Sequence, residues 1–82
     1  MIPLYGFLEG DTIGLLVLAQ PTDTGEDLVA KLVSAAKVRV QPAGKYSLHR
    51  GGKEVFGNPT VKAMGLEALD RIDVRRVRPW NG

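Results

Sequence analysis

Cysteine is absent from this chain, which removes disulfides, thiolate metal sites and thiol nucleophiles at once. Long apolar runs are absent too: nothing comes near the roughly 18 consecutive residues that a membrane span needs. Met1-Ile2-Pro3-Leu4 has neither the basic start nor the apolar stretch of a secretory signal. The expectation is a chain with no membrane attachment, placed by default in the cytoplasm. Charge of one sign is scarce, since eleven Lys and Arg stand against nine Asp and Glu for a net +2. That is too little for a protein whose main work is neutralising phosphate, and no aromatic-plus-basic motif of a nucleic-acid reader is present, so nucleic acid is not an expected partner. The single histidine, His49, has no evident acid–serine arrangement around it in the sequence, and one His makes no metal site by itself. No catalytic residue, metal or cofactor is expected. Gly51-Gly52-Lys53 is not a phosphate loop either: the first Gly of that motif would fall at Ser47, and Glu54 follows where Ser or Thr is needed.

What the 82 residues do contain, at 44% hydrophobic and 24% charged, suits one small domain with one core. A chain of this size hides only about 60% of its extended surface, leaving little room for an internal active-site cavity. The charge is polarised. Arg71, Arg75, Arg76 and Arg78 crowd one end, while Glu9, Asp11, Asp23, Glu26 and Asp27 lie around turns and a helix start.

Residues 2–8 and 12–19 read as two strands, rich in Leu, Ile, Val and aromatic residues, joined at Leu8-Glu9-Gly10-Asp11, where Gly10 supplies the positive φ of a tight hairpin. Pro21-Thr22-Asp23-Thr24 ends the second strand. Thr24, with Asp27 three positions on, has the pattern of a helix N-cap. Leu28, Leu32 and Ala35 or Ala36 then form one apolar stripe about three turns long that must be buried against the sheet. Gln41-Pro42-Ala43-Gly44 turns the chain into a strand at Tyr46-Ser47-Leu48-His49. Gly51-Gly52 reverses it into a short strand from Lys53 to Phe56, and Val61 to Met64 forms a single helical turn ended by Gly65. Leu66 and Leu69 are expected to pack before a last strand, Ile72 to Val77. The fold class is α+β, in the order ββαββ, a short helical turn, then β. The compact solution for that order is a β-grasp: a mixed sheet with one helix across it and the first and last strands adjacent at its centre.

Several stretches resemble ubiquitin. Phe7-Leu8-Glu9-Gly10-Asp11-Thr12-Ile13 is similar to its first hairpin, Pro21-Thr22-Asp23-Thr24 with Asp27 and Ala30-Lys31-Leu32 to its helix entry and helix, and Leu48 to Val55 to its third and fourth strands. A second resemblance, carried by Ile2-Pro3-Leu4, Val38-Arg39-Val40-Gln41-Pro42 and Gly65-Leu66 leading into Ile72-Asp73-Val74, is to the small B, or gamma, subunits of toluene-type multicomponent diiron monooxygenases, which are also ubiquitin-like.

The two resemblances imply different work. Likeness to ubiquitin-like modifiers implies a domain over residues 1–74 and a flexible basic tail over 75–82, with the Gly82 carboxylate adenylated by an activating enzyme and conjugated to targets. Arg75, Arg76, Arg78 and Trp80 would then be the tail residues that enzyme reads. The tail departs from the family pattern, because Asn81 replaces the first glycine of the usual pair and Pro79 and Trp80 make the approach stiffer and bulkier. Likeness to the monooxygenase subunits implies instead a stable place beside larger hydroxylase subunits. In either case the partners are proteins, and the chain alone is expected to be a monomer.

Two binding surfaces are expected. By strand alternation Ile13, Leu15 and Val17 face the core, which leaves Leu16 and Leu18 on the outer face near Leu4. The resemblance to ubiquitin places His49 and Arg75, together with Leu8, where ubiquitin has an apolar recognition patch. With Arg50 alongside, that face favours an acidic partner.

Overall fold

The computed structural model describes residues 1–41 and 44–77. Strand β1 (Ile2–Leu8) alternates cleanly, with Leu4, Gly6 and Leu8 turned inward and Pro3, Tyr5 and Phe7 outward. It pairs antiparallel with β2 (Leu15–Ala19). The second strand starts later than the pattern of residues 12–19 implies. Asp11 accepts hydrogen bonds from the backbone N–H groups of Thr12 and Ile13, which holds the loop in a turn. Gly14 then lies under the Phe7 ring, where an added Cβ would meet ring carbons at 2.7 Å. Ile13 therefore leaves the strand and is 48% exposed, against the expectation that it faces the core.

Helix α1 (Gly25–Ala36) begins as read. The Asp27 N–H donates to the Thr24 hydroxyl, and the Asp27 carboxylate accepts from the Thr24 N–H at 2.9 Å, a complete capping box. Its inner stripe is Leu28, Leu32 and Ala36, all fully buried. Strand β3 (Tyr46–Arg50) turns at Gly51-Gly52 into β4 (Lys53–Glu54), which stops short of Phe56. The turn α2 (Val61–Met64) is capped by Thr60 and closed by Gly65 in the left-handed conformation. Strand β5 (Arg71–Arg76) completes a five-stranded sheet in the order β2-β1-β5-β3-β4. β1 and β5 run parallel at its centre and the other pairs are antiparallel. The core lies between the inner face of this sheet and α1, with Leu4, Leu8, Val17, Leu48, Ile72 and Val74 opposite Leu28 and Leu32, and Val61 and Leu66 closing one end.

Two further features differ from the sequence reading. β5 continues through Arg75 and Arg76, because each pairs with β3, so the strand extends two residues into the segment read as tail. Leu69, expected to pack, is 56% exposed at φ +68, held there by its N–H donating to the Pro3 carbonyl. A leucine in the left-handed region carries a cost of about 1–2 kcal/mol that glycine does not. Leu69→Gly, at a side chain outside the core, is therefore expected to raise the unfolding free energy by about 0.5–1 kcal/mol after the greater freedom of Gly in the unfolded chain is subtracted. Leu69→Ala, which keeps the Cβ, should bring no such gain; urea denaturation of both variants checks this.

No helix among the described residues is long and apolar enough to cross a membrane, and no three His, Asp or Glu side chains among them come together around a metal position.

Candidate interaction surface

The sheet has one face under the helix and one with nothing over it, and strand parity decides what the open face shows. From β2 come Leu16 and Leu18, 56% and 50% exposed. β1 contributes Pro3, Tyr5 and Phe7, with Pro3 opposite Leu18 and Tyr5 opposite Leu16. Neighbouring β5 adds Arg71 beside Tyr5 and Asp73 beside Phe7. β3 adds His49 opposite Asp73 and Ser47 opposite Arg75. The open face is thus divided: an apolar half on β2 and β1, and a polar, basic half on β5 and β3.

The seam is built by Arg71. Its guanidinium lies over the Phe7 ring, 4.1 Å from the centroid, and its Nη2 donates to Asp73 at 2.9 Å. That bond raises the Arg71 pKa above its ordinary value, so the cation persists at any working pH. Across the seam the His49 Nε2 and Ser47 Oγ lie 2.9 Å apart, while His49 Nδ1 is covered and has no partner among the described residues. A hydroxyl beside an imidazole is half of a nucleophilic arrangement, but no carboxylate orients Nδ1 and the pair stands on an open sheet face, so its effect is to fix the ring.

Lys31 of α1 secures the edge of this face. Its ammonium donates to the Leu18 carbonyl and to Asp23, both at 2.8 Å. At the opposite end of the hairpin Arg39 clamps Asp11, whose carboxylate is 2% exposed. The hydrogen bond from Arg39 lowers the Asp11 pKa below its ordinary 3.8, outweighing the upward push of desolvation, with further help from the Ile13 and Thr12 N–H groups. A carboxyl whose pKa is lower folded than unfolded gives stability that is present above about pH 4 and is lost as pH falls through the folded value. Asp11→Asn should therefore lower the melting temperature at pH 7 and make no difference near pH 2, which a series of thermal melts across that range reads directly.

Three expected surface residues are elsewhere. Leu4 is fully buried and Leu8 is 4% exposed, because both lie in the inward row of β1 with Gly6 between them. Arg50 shares the inward row of β3 with Leu48 and is held by the Met64 carbonyl and Asp70, so it does not join His49. Leu16, Leu18, His49 and Arg75 are on the open face as expected. Arg76 is half-buried, its N–H donating to Glu9 at 2.9 Å. Arg78, Trp80 and Gly82 lie outside the described residues. Tyr5 and Phe7 also belong to this face and are not among the expected surface residues, because both rows of β1 are apolar and alternation alone does not say which row is inside.

No family model and no curated protein sequence matches this chain. Its shape does find likenesses. A chain of the toluene 4-monooxygenase HD complex with the inhibitor 4-bromobenzoate superposes with a TM-score of 0.85, over 93% of this chain and 98% of that one, at 20% identity. Ubiquitin of Caldiarchaeum subterraneum superposes with a TM-score of 0.75, over 99% and 98%, at 17% identity. Both likenesses read from the sequence are thus present in the structure, and what they establish at such identities is the fold: this chain is a ubiquitin-like β-grasp domain.

Proposed function

We propose that the chain is a non-catalytic docking subunit, of the kind represented by the small B or gamma component of toluene-type diiron monooxygenases, and that the open face of its sheet seats it against a larger hydroxylase subunit. The observation that carries this is the apolar half of that face. Pro3, Tyr5, Phe7, Leu16 and Leu18 form one continuous patch over two neighbouring strands. A sheet face that met only water would alternate to polar residues here. Aromatic and leucine side chains gathered beside a basic margin are instead the composition of a protein contact. The near full-length likeness to a chain of the toluene 4-monooxygenase complex, closer in shape than the likeness to ubiquitin, supports the same reading.

The test is co-expression with the large subunits of a toluene-type diiron hydroxylase, followed by size-exclusion chromatography. A stable complex that survives the column is the expected result; a chain that elutes alone at monomer size overturns the proposal. The modifier reading has the same fold behind it and turns on Gly82, outside the described residues. Incubation with an activating enzyme and ATP, followed by intact-mass measurement, decides it: an adenylate or covalent adduct that disappears when Gly82 is deleted would transfer the assignment to conjugation.

A further inference from the structure

Helix α1 bears a second apolar row that the core does not fully cover. Beside buried Leu28 and Leu32, Val29 and Val33 are only half-buried, one turn apart. Tyr46 shares the inward row of β3 with Leu48, and Val55 joins that row from beyond β4, its N–H donating to the Leu48 carbonyl at 2.8 Å. Tyr46 and Val55 are half-buried as well. β4 pairs with β3 only at His49 and Arg50, so the sheet ends early here and a groove of about 420 Å³ remains between helix and strand. It lies on the helix side of the sheet, away from the open face.

The chain itself runs up to this groove. Val77, the last of the described residues, is among those that line it and is half exposed. Its N–H donates at 3.0 Å to the carbonyl of Lys45, the neighbour of Tyr46, which fixes the path out of β5 at the Tyr46 end of the groove. The residues that follow are Arg78-Pro79-Trp80, and Trp80 is the only tryptophan in the sequence. Three residues of extended chain cover about 10 Å, while Val29 and Val33 are about 6 Å apart along the helix axis. An indole at position 80 is therefore within reach of both valines. Pro79 has a fixed φ and disfavours the helical region for Arg78, so the segment has fewer conformations to lose on docking.

We infer that the groove is the seat of the chain's own segment Arg78-Pro79-Trp80, with the Trp80 indole packed against Val29, Val33, Tyr46 and Val55. A cavity of about 150 Å³ accepts benzene, so this groove, at about 420 Å³, takes the larger indole and the edge of the proline ring. A tryptophan buries about 150–250 Å², which suits a wall of four half-covered apolar side chains. Tethering decides the occupant: a segment joined directly to the groove wall is present there at an effective concentration on the order of millimolar, without any partner being supplied. With its own chain seated on the helix side, the domain presents the open face to a partner and withholds Trp80 from an activating enzyme. The inference rests on the groove and on the order of residues beyond Val77, not on what the open face binds.

Tryptophan fluorescence of the full chain reads Trp80 alone. In the folded protein its emission is expected to be blue-shifted from that in urea, and acrylamide is expected to quench it at least about threefold less. Val29→Lys, at a half-buried position of the groove wall, should return both readings toward the urea values while circular dichroism stays native. Leu16→Asp on the open face should change neither. In a ¹⁵N spectrum Trp80→Ala should shift the amides of residues 29–33, 46–48 and 55 and leave Tyr5, Leu16 and Leu18 unmoved, a result that does not depend on how Val29→Lys folds. A Trp80 quenched as freely in the folded chain as in urea overturns the inference. So does protection that Leu16→Asp removes, which would put the indole on the open face. Protection that appears only as protein concentration rises overturns it equally, because the indole would then sit in the groove of a second copy.

Discussion

Leu32→Ala is expected to lower the unfolding free energy by about 3 kcal/mol, within the 2–5 kcal/mol that truncating a buried leucine typically costs. For a domain of this size, whose whole stability is about 4–12 kcal/mol, that is a large share, and the melting temperature should fall by roughly 12–24 °C. The reason is where Leu32 sits. It is fully buried at the middle of α1 and reaches into the inward row of β1 at Gly6. A Cβ added at Gly6 would lie 2.8 Å from one Leu32 methyl, 3.1 Å from the other and 3.3 Å from a Val17 methyl. Gly6 has no positive φ, so what it provides is space: it lets the helix lie close to the central strand. Gly6→Ala should cost about 1–3 kcal/mol by overpacking. In the Leu32→Ala background, however, the new methyl has a cavity to enter, and the double variant should be less damaged than the two single effects summed by about 1 kcal/mol or more. Thermal and urea unfolding of the four proteins gives the coupling; additive effects would show that helix and strand do not meet at this point.

The same pair of residues explains why the fold was more legible than the surface. The helix was readable because its signals are local: Thr24 and Asp27 cap it, and Leu28, Leu32 and Ala36 recur at one spacing. The turn at Gly51-Gly52 and the left-handed stop at Gly65 were readable because few residues other than glycine tolerate those angles. The first strand was different. Ile2-Pro3-Leu4-Tyr5-Gly6-Phe7-Leu8 is apolar in both of its rows, so a period of two locates a strand without saying which row is inside. Leu4 and Leu8 were set on the surface when the row containing Gly6 is the one the helix presses against. Tyr5 and Phe7 were overlooked for the same reason. Arg50 was read as surface charge because its anchors, the Met64 carbonyl and Asp70, are distant in sequence and meet it only after α2 folds back. The groove beside Val29 and Val33 was hidden by the likeness of those residues to the buried stripe next to them, and it exists because β4 is two residues long, a tertiary outcome that no local pattern states.

The open face should be the most sensitive part of the molecule to partner binding and among the least sensitive in stability. Leu16→Asp with Leu18→Asp is expected to leave the domain folded, since both side chains are at least half exposed and neither belongs to the core. The same pair is expected to abolish retention by the hydroxylase subunit, with affinity falling by at least about 100-fold. Removing an anchor from the centre of an interface costs about 2 kcal/mol or more, and these substitutions also force two carboxylates to lose water against an apolar partner surface. Leu16→Thr with Leu18→Thr keeps the strand preference for branched side chains and separates loss of contact from loss of fold. On the basic half, Arg75→Glu should act through a different rate. Arg75 is an exposed cation at the margin, so reversing its sign is expected to slow association and reduce its dependence on salt, whereas the leucine variants accelerate dissociation. Surface plasmon resonance at two ionic strengths resolves the two behaviours. A leucine pair that binds as well as the wild type would place the contact elsewhere. Arg75→Glu acting on dissociation alone would mean that its charge is buried in the contact, so that the interface extends across the Arg71–Asp73 seam and takes in both halves of the sheet.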